Sequence, residues 1–82
     1  MQITVQCFGA LREHLPADAT GNTATVELAV GARVTALVEL LGAPRGLVHA
    51  LLVNEEPSDL DRVLAEGDRV TLMPQFTGGS RS

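Results

Sequence analysis

The sequence predicts an α+β fold: a mixed sheet of four to five strands with one main helix packed on one face. Three observations predict it. Apolar and polar residues alternate with a period of two near both ends of the chain. A single stretch in the middle switches to the helical period. Turn-forming residues separate these segments. A helix stripe and a sheet face cannot each bury themselves, so one must cover the other. With 82 residues the chain has room for one domain.

Ile3, Val5 and Cys7 alternate with Thr4 and Gln6, which predicts a strand running to Phe8. Gly9 breaks it. Residues 10–15 suit a helical turn, with Leu11 and Leu15 four apart and facing the core, and Pro16 stops it. Ala17 to Thr23 reads as an exposed loop. A second strand follows from Ala24 to Val30, with Val26, Leu28 and Val30 facing in, and Gly31 ends it. Val34, Leu37, Val38 and Leu41 then form the stripe of an amphipathic helix, and Gly42 and Pro44 stop it. No good N-cap residue precedes Val34. Leu47 to Val53 is a third strand, apolar on both faces apart from His49, which implies fuller cover or a partner-facing side. His49 and Leu51 are its candidate partner contacts. Asn54 to Asp68 is a polar connection anchored by Leu60, Val63 and Leu64, with Ser58 or Asp59 capping a short turn. Arg69 to Pro74 is the last strand, with Val70 and Leu72 inward and Thr71 and Met73 outward. The order is strand, strand, helix, strand, strand. The first two strands pair antiparallel, the helix is a crossover, and the first and last strands lie centrally. This is the β-grasp arrangement, as in ubiquitin. It spans residues 1–76, followed by a flexible tail of residues 77–82.

Composition excludes several functions. The net charge of -4 disfavours nucleic acid and anionic membranes as partners, and two Phe without Trp or Tyr leave little for bases to stack on. All six basic side chains are Arg, so a catalytic Lys, a Schiff base and a P-loop are excluded. One Cys excludes an internal disulfide and fits a reducing compartment. The first residues carry no secretory pattern, and no apolar run approaches the roughly 20 residues of a membrane span. A soluble cytoplasmic protein is expected.

No catalytic constellation emerges, so the domain is not expected to be an enzyme by itself. Cys7 lies on an inward face and reads as structural. His14 and His49 lie on different elements without partner ligands, so no metal site is expected. Glu55, Glu56, Asp59 and Asp61 lack the spacing of a calcium loop and read as solvated. No glycine pattern marks a nucleotide site, so no bound cofactor is expected. What remains is the end of the chain, where Phe76-Thr77-Gly78-Gly79 follows the last strand. Two glycines let a main chain enter a slot too narrow for side chains.

With that pair in place, the sequence resembles the MoaD/ThiS family of small sulfur-carrier proteins, which includes the molybdopterin synthase small subunit. The resemblance rests on Phe8-Gly9-Ala10-Leu11-Arg12-Glu13, on Leu52-Val53-Asn54-Glu55-Glu56, on Glu66-Gly67-Asp68-Arg69-Val70 leading to Met73-Pro74, and on Gly78-Gly79. It implies that an activating enzyme uses ATP to adenylate the carboxylate of Gly79. Sulfur transfer then gives a thiocarboxylate, which a biosynthetic enzyme or large synthase subunit consumes, as in molybdopterin synthesis. Gly78 allows passage, and Met73, Phe76 and Thr77 contact the partner. Ser80-Arg81-Ser82 depart from the family pattern, in which the glycine is usually last. Either a protease of the JAMM type trims the chain after Gly79, or these residues are foreign to the natural protein, or the chain never carries sulfur. Leu41-Gly42-Ala43-Pro44-Arg45 and Val53-Asn54 also resemble a ubiquitin-like domain attached to certain PIN-type ribonuclease domains, a binding module without a terminal Gly-Gly.

The absence of Lys has a testable consequence. Met1 supplies the one amine in these 82 residues, so use as a covalent tag allows single attachment or none. Linkage mapping of any conjugate by mass spectrometry is expected to find no chain grown through side-chain amines of this protein.

Overall fold

The structure, a computed structural model, describes residues 1–74. The boundary expected after residue 76 and the tail of residues 77–82 lie outside the described residues.

Five strands form one mixed sheet: β1 (Gln2–Cys7), β2 (Thr23–Glu27), β3 (Ala50–Val53), β4 (Glu56–Pro57) and β5 (Arg69–Met73), in the order β2-β1-β5-β3-β4. β1 and β5 run parallel and every other pair is antiparallel. One helix, α1 (Val34–Leu41), crosses from β2 to β3. The β-grasp arrangement is therefore present, with the first and last strands inside the sheet.

Register explains the core. Val5 lies opposite Val70, Cys7 opposite Leu72, Leu51 opposite Leu72 and Val53 opposite Val70. Opposed residues share a face, and these side chains are buried with Val34, Leu37 and Val38 of α1. α1 begins at Arg33, which makes no side-chain cap. The connection before β5 does that work: Val34 N–H donates to the Arg62 carbonyl at 3.0 Å, and Thr35 N–H donates to that of Leu60 at 3.0 Å. At the other end Gly42 takes φ 73°, and Ala43 N–H reaches back to the Val38 carbonyl at 3.2 Å.

Several expectations need correction. β2 ends at Glu27, because Leu28 N–H closes the pairing on the Met1 carbonyl at 2.9 Å and the chain then turns. Val30 is consequently 89% exposed instead of inward. The third strand starts at Ala50; after Pro44, residues Arg45–Leu47 form a 3₁₀ turn instead. Val63 is 48% exposed. Its neighbour Leu64 donates to the Ala32 carbonyl at 2.9 Å and is the one buried in the core. The helical turn expected over 10–15 is a 3₁₀ helix at Gly9–His14 with Leu11 buried. β4 was hidden in the polar connection. Asn54 and Glu55 both take positive φ, 53° and 71°, which gives the two-residue hairpin that returns the chain onto β3.

A polar brace joins that hairpin to β5. The Asp68 carboxylate accepts from Asn54 Nδ2 at 3.0 Å and from Ala65 N–H at 2.9 Å, while Asn54 Oδ1 accepts from Arg69 N–H at 3.0 Å. The Asn54 bond first, then the Ala65 bond, hold the Asp68 carboxyl below the usual range, partly opposed by burial and helped by Arg62. A carboxyl lowered by folding stabilises the fold above its unfolded pKa, and that contribution disappears as pH falls through the folded value. Asp68→Asn is therefore expected to be less stable than the parent near neutrality. The gap should close as pH falls below about 4, the ordinary carboxylate value. Urea unfolding of both proteins at neutral and acid pH checks this.

Candidate functional site

The face of the sheet away from α1 carries its own rows. Gln6 lies opposite Thr71, Thr71 opposite Leu52, and Leu52 opposite Pro57, so one row crosses β1, β5, β3 and β4. A second row places Ala50 opposite Met73. Thr71 points outward as its alternation predicts, yet it is only 6% exposed, because it is flanked by Gln6 and Leu52 in the sheet centre. This open face is mixed and uncharged at its centre. Sequence reasoning named Met73 as a partner contact and placed Thr71 outward beside it, but gave no role to Gln6, Ala50, Leu52 or Thr71. Strand pairing is what aligns them, and no local pattern reports it.

Among the candidate partner contacts, Met73 and His49 come together. His49 N–H donates to the Met73 carbonyl at 2.9 Å, so both stand where β5 ends. His49 is exposed and Met73 half-buried. Leu51 departs from the expectation. It lies opposite Leu72 on the α1 side and is 7% exposed, so it is chiefly a core residue. Its remaining surface lines a shallow concavity of about 390 Å³ at the β3 edge, together with His49, Ser58, Asp59 and Leu60. Phe76, Thr77, Gly78 and Gly79 lie outside the described residues. Pro74, the last described residue, is buried.

Two other singled-out groups, Cys7 and Asp59, have structural roles. The Cys7 thiol is buried, and burial pushes it up to about 11, so it is a poor nucleophile. Asp59 Oδ1 accepts from Asp61 N–H at 3.0 Å, so Asp59 does cap a short turn. No cluster of three or more His, Cys, Asp or Glu residues is placed to hold a metal ion among the described residues. No helix there is long and apolar enough to cross a membrane. The Met1 ammonium donates to Glu27 Oε2 at 3.0 Å and to the Leu28 carbonyl at 2.7 Å.

A five-stranded β-grasp sheet with one α-helix and an open face, its last described strand at the sheet centre, is the fold of a ubiquitin-like protein. The family described as Mut7-C ubiquitin matches residues 1–79, and the chain belongs to that family. No curated protein sequence matches. Among solved structures, SAMP1 from Haloferax volcanii is 27% identical, covers 96% of this chain and 100% of its own, and superposes with a TM-score of 0.69. Urm1 from Trypanosoma brucei is 25% identical over 95% of each chain, with a TM-score of 0.64. Subunits 1 and 2 of the molybdopterin-converting factor from Helicobacter pylori 26695 form a protein–protein complex. The matching chain there is 24% identical, covers 96% of this chain and 100% of its own, and has a TM-score of 0.62, a likeness of fold. The chain thus shares the fold of small ubiquitin-like carrier and modifier proteins.

The two neighbouring leucines of β3 separate core from face. Leu51→Ala is expected to cost about 2–5 kcal/mol, the range for a buried leucine. Leu52→Ala is expected to cost less than half as much, because it empties no core site. Denaturant unfolding of the two variants measures the difference.

Proposed function

We propose that the chain is a sulfur carrier. Its Gly79 carboxylate is adenylated by a partner activating enzyme that uses ATP. Sulfur transfer then makes a thiocarboxylate, which is donated to a biosynthetic enzyme in the manner of a molybdopterin synthase small subunit. One observation carries this reading: the last strand of a ubiquitin-like domain ends at Met73, only a few residues before Gly78-Gly79, and the family match ends at Gly79 itself. Residues 80–82 then have to be absent from the active form, and a JAMM-type protease suits that step. The acyl adenylate is a mixed anhydride of the carboxylate and AMP, formed with release of pyrophosphate; attack by sulfur at its acyl carbon expels AMP, and a partner that closes over a narrow arm keeps water from it. In this reading the domain needs no acid, base or metal of its own, and the described residues gather no cluster to hold a metal ion. The domain supplies the carboxylate and a face by which the partner holds it. The protein acts in the cytoplasm as a co-substrate and binds no cofactor of its own.

A second reading is favoured by the family description. The name Mut7-C ubiquitin couples a ubiquitin-like domain to a second term, Mut7-C, which suits a non-catalytic interaction module of the kind associated with PIN-type ribonuclease domains. In that reading the open sheet face does the binding and Gly79 has no chemistry.

Intact mass measurement of protein isolated from its native host separates the two. A species ending at Gly79 with one oxygen replaced by sulfur is expected of the carrier. Full-length chain alone, even after incubation with an activating enzyme and ATP, overturns the carrier reading and leaves the module. Gly79→Trp is expected to abolish activation with a stability change within about 0.5 kcal/mol, as for positions outside a core.

A further inference from the structure

We propose that Gly9 and Pro74 form a seat that fixes the direction in which the chain leaves the sheet, making both positioning residues for the chemistry at Gly79. The functional half of this inference rests on the carrier reading; the geometric half does not.

After Met73 the chain must leave a strand that has neighbours on both sides. Its last carbonyls are held from both: Phe8 N–H donates to the Leu72 carbonyl at 3.1 Å, and His49 N–H to the Met73 carbonyl at 2.9 Å. Pro74 then ends the pairing, because it has no N–H and its ring fixes φ. The ring rests on Gly9. A Cβ built on Gly9 would stand 3.6 Å from Pro74 Cδ, an ordinary contact, but 2.9 Å from Pro74 Cγ, closer than real Cβ atoms essentially ever come, so the ring would have to shift. Gly9 also takes φ +56°, where a side chain is strained. Two independent requirements therefore meet at one residue. The remaining positive-φ glycines among the described residues differ. Gly21, Gly31, Gly42 and Gly67 have open space where a Cβ would be. They serve the local turn alone, whereas Gly9 closes against the residue from which the chain departs toward Gly78-Gly79.

This placement matters because an arm that starts from a free joint samples many directions. One that starts from a fixed joint reaches a partner's slot with less to lose on binding, and misplacement of a reacting group by about 1 Å can cost two orders of magnitude in rate. The seat joins β5 to the segment after β1 across a parallel pair, so the direction is referenced to the sheet and hence to the face a partner would grip.

The test uses the full chain and three variants. Gly9→Ala introduces both strain and the clash. Pro74→Ala removes the ring but keeps Gly9. Gly42→Ala introduces strain at φ +73° with no clash, so it controls for stability alone. A nitroxide on Ser80→Cys reports direction, since Cys7 is buried and resists labelling. Its broadening of backbone amide signals in the folded domain is expected to redistribute in Gly9→Ala and Pro74→Ala and to match the parent in Gly42→Ala. The same broadening map in all four proteins overturns the seat, whatever the protein's function. With an adenylating enzyme and ATP, using chain ending at Gly79, kcat is expected to fall roughly tenfold in Gly9→Ala with KM within about twofold. Gly42→Ala is expected to keep the parent kcat. An unchanged kcat in Gly9→Ala overturns the positioning role while sparing the carrier reading. Failure of the parent itself to be activated overturns the carrier reading, and the broadening map still decides the seat.

Discussion

The parallel pairing of β1 with β5 is the constraint on which the rest depends. It sets residues near the two ends of the described chain side by side in the sheet, with Val5 against Val70 and Cys7 against Leu72, all buried. Two strands that run the same way cannot be joined by a tight turn, so the chain between them must cross over. It does so by pairing β2 against β1, laying α1 across the face and adding β3 on the far side of β5. The same parallelism makes β1 and β5 finish at one end of the sheet. That is why the 3₁₀ helix after Cys7 and the residue after Met73 meet, and why a glycine is required where they do.

Most of the core was legible because the pairing is written in alternation. Ile3, Val5 and Cys7 on one strand and Val70 and Leu72 on another are each a period of two, and Val34, Leu37 and Val38 are the helical period. What was not legible is what strand pairing and long-range hydrogen bonds decide. Val30 continues the alternation of Val26 and Leu28, but the ladder that would keep it in line stops at the Met1 carbonyl. Leu47 and Val48 look like strand residues, yet Pro44 starts a 3₁₀ turn that delays the strand to Ala50. β4 is two residues long and has no period at all; it exists because Asn54 and Glu55 accept left-handed backbone. Glu55 is strained there, at roughly 1–2 kcal/mol for an ordinary side chain. Its neighbour Asn54 offsets part of this through the brace to Asp68 and Arg69.

The site divided in the same way. Met73 and His49 were named from sequence and do stand together, because the last strand ends beside the segment that leads into β3. Leu51 was named because the third strand seemed apolar on both faces, and an apolar strand does not announce which face is which. The register with Leu72 settles it, and the exposed role passes to Leu52 and Ala50. The start of α1 shows the same limit. Arg33 is a poor cap by type, and the carbonyls of Leu60 and Arg62, about 25 residues away, replace it. No local rule anticipates a cap supplied from so far along the chain.

The two functional readings use different parts of this molecule. An interaction module needs the open face, where Gln6, Thr71 and Leu52 form an uncharged centre. A carrier needs that face and also the end of the sheet, because the group that reacts must be delivered while the handle is held. Changes on the face weaken either function and so cannot tell them apart. On the carrier reading, changes at the seat of Pro74 leave the residues of the face in place and bear on delivery, once their cost in stability is controlled for. The geometry at Gly9 therefore bears on how whatever follows Pro74 is presented, a reacting carboxylate on the carrier reading and a companion domain on the module reading, whereas the face serves binding in both. The Lys-free composition bears on the carrier alone. An activated carboxyl is vulnerable to amines, and these 82 residues carry no Lys side-chain amine. A protein whose task is to present an activated carboxyl to a distant acceptor is best built without acceptors of its own.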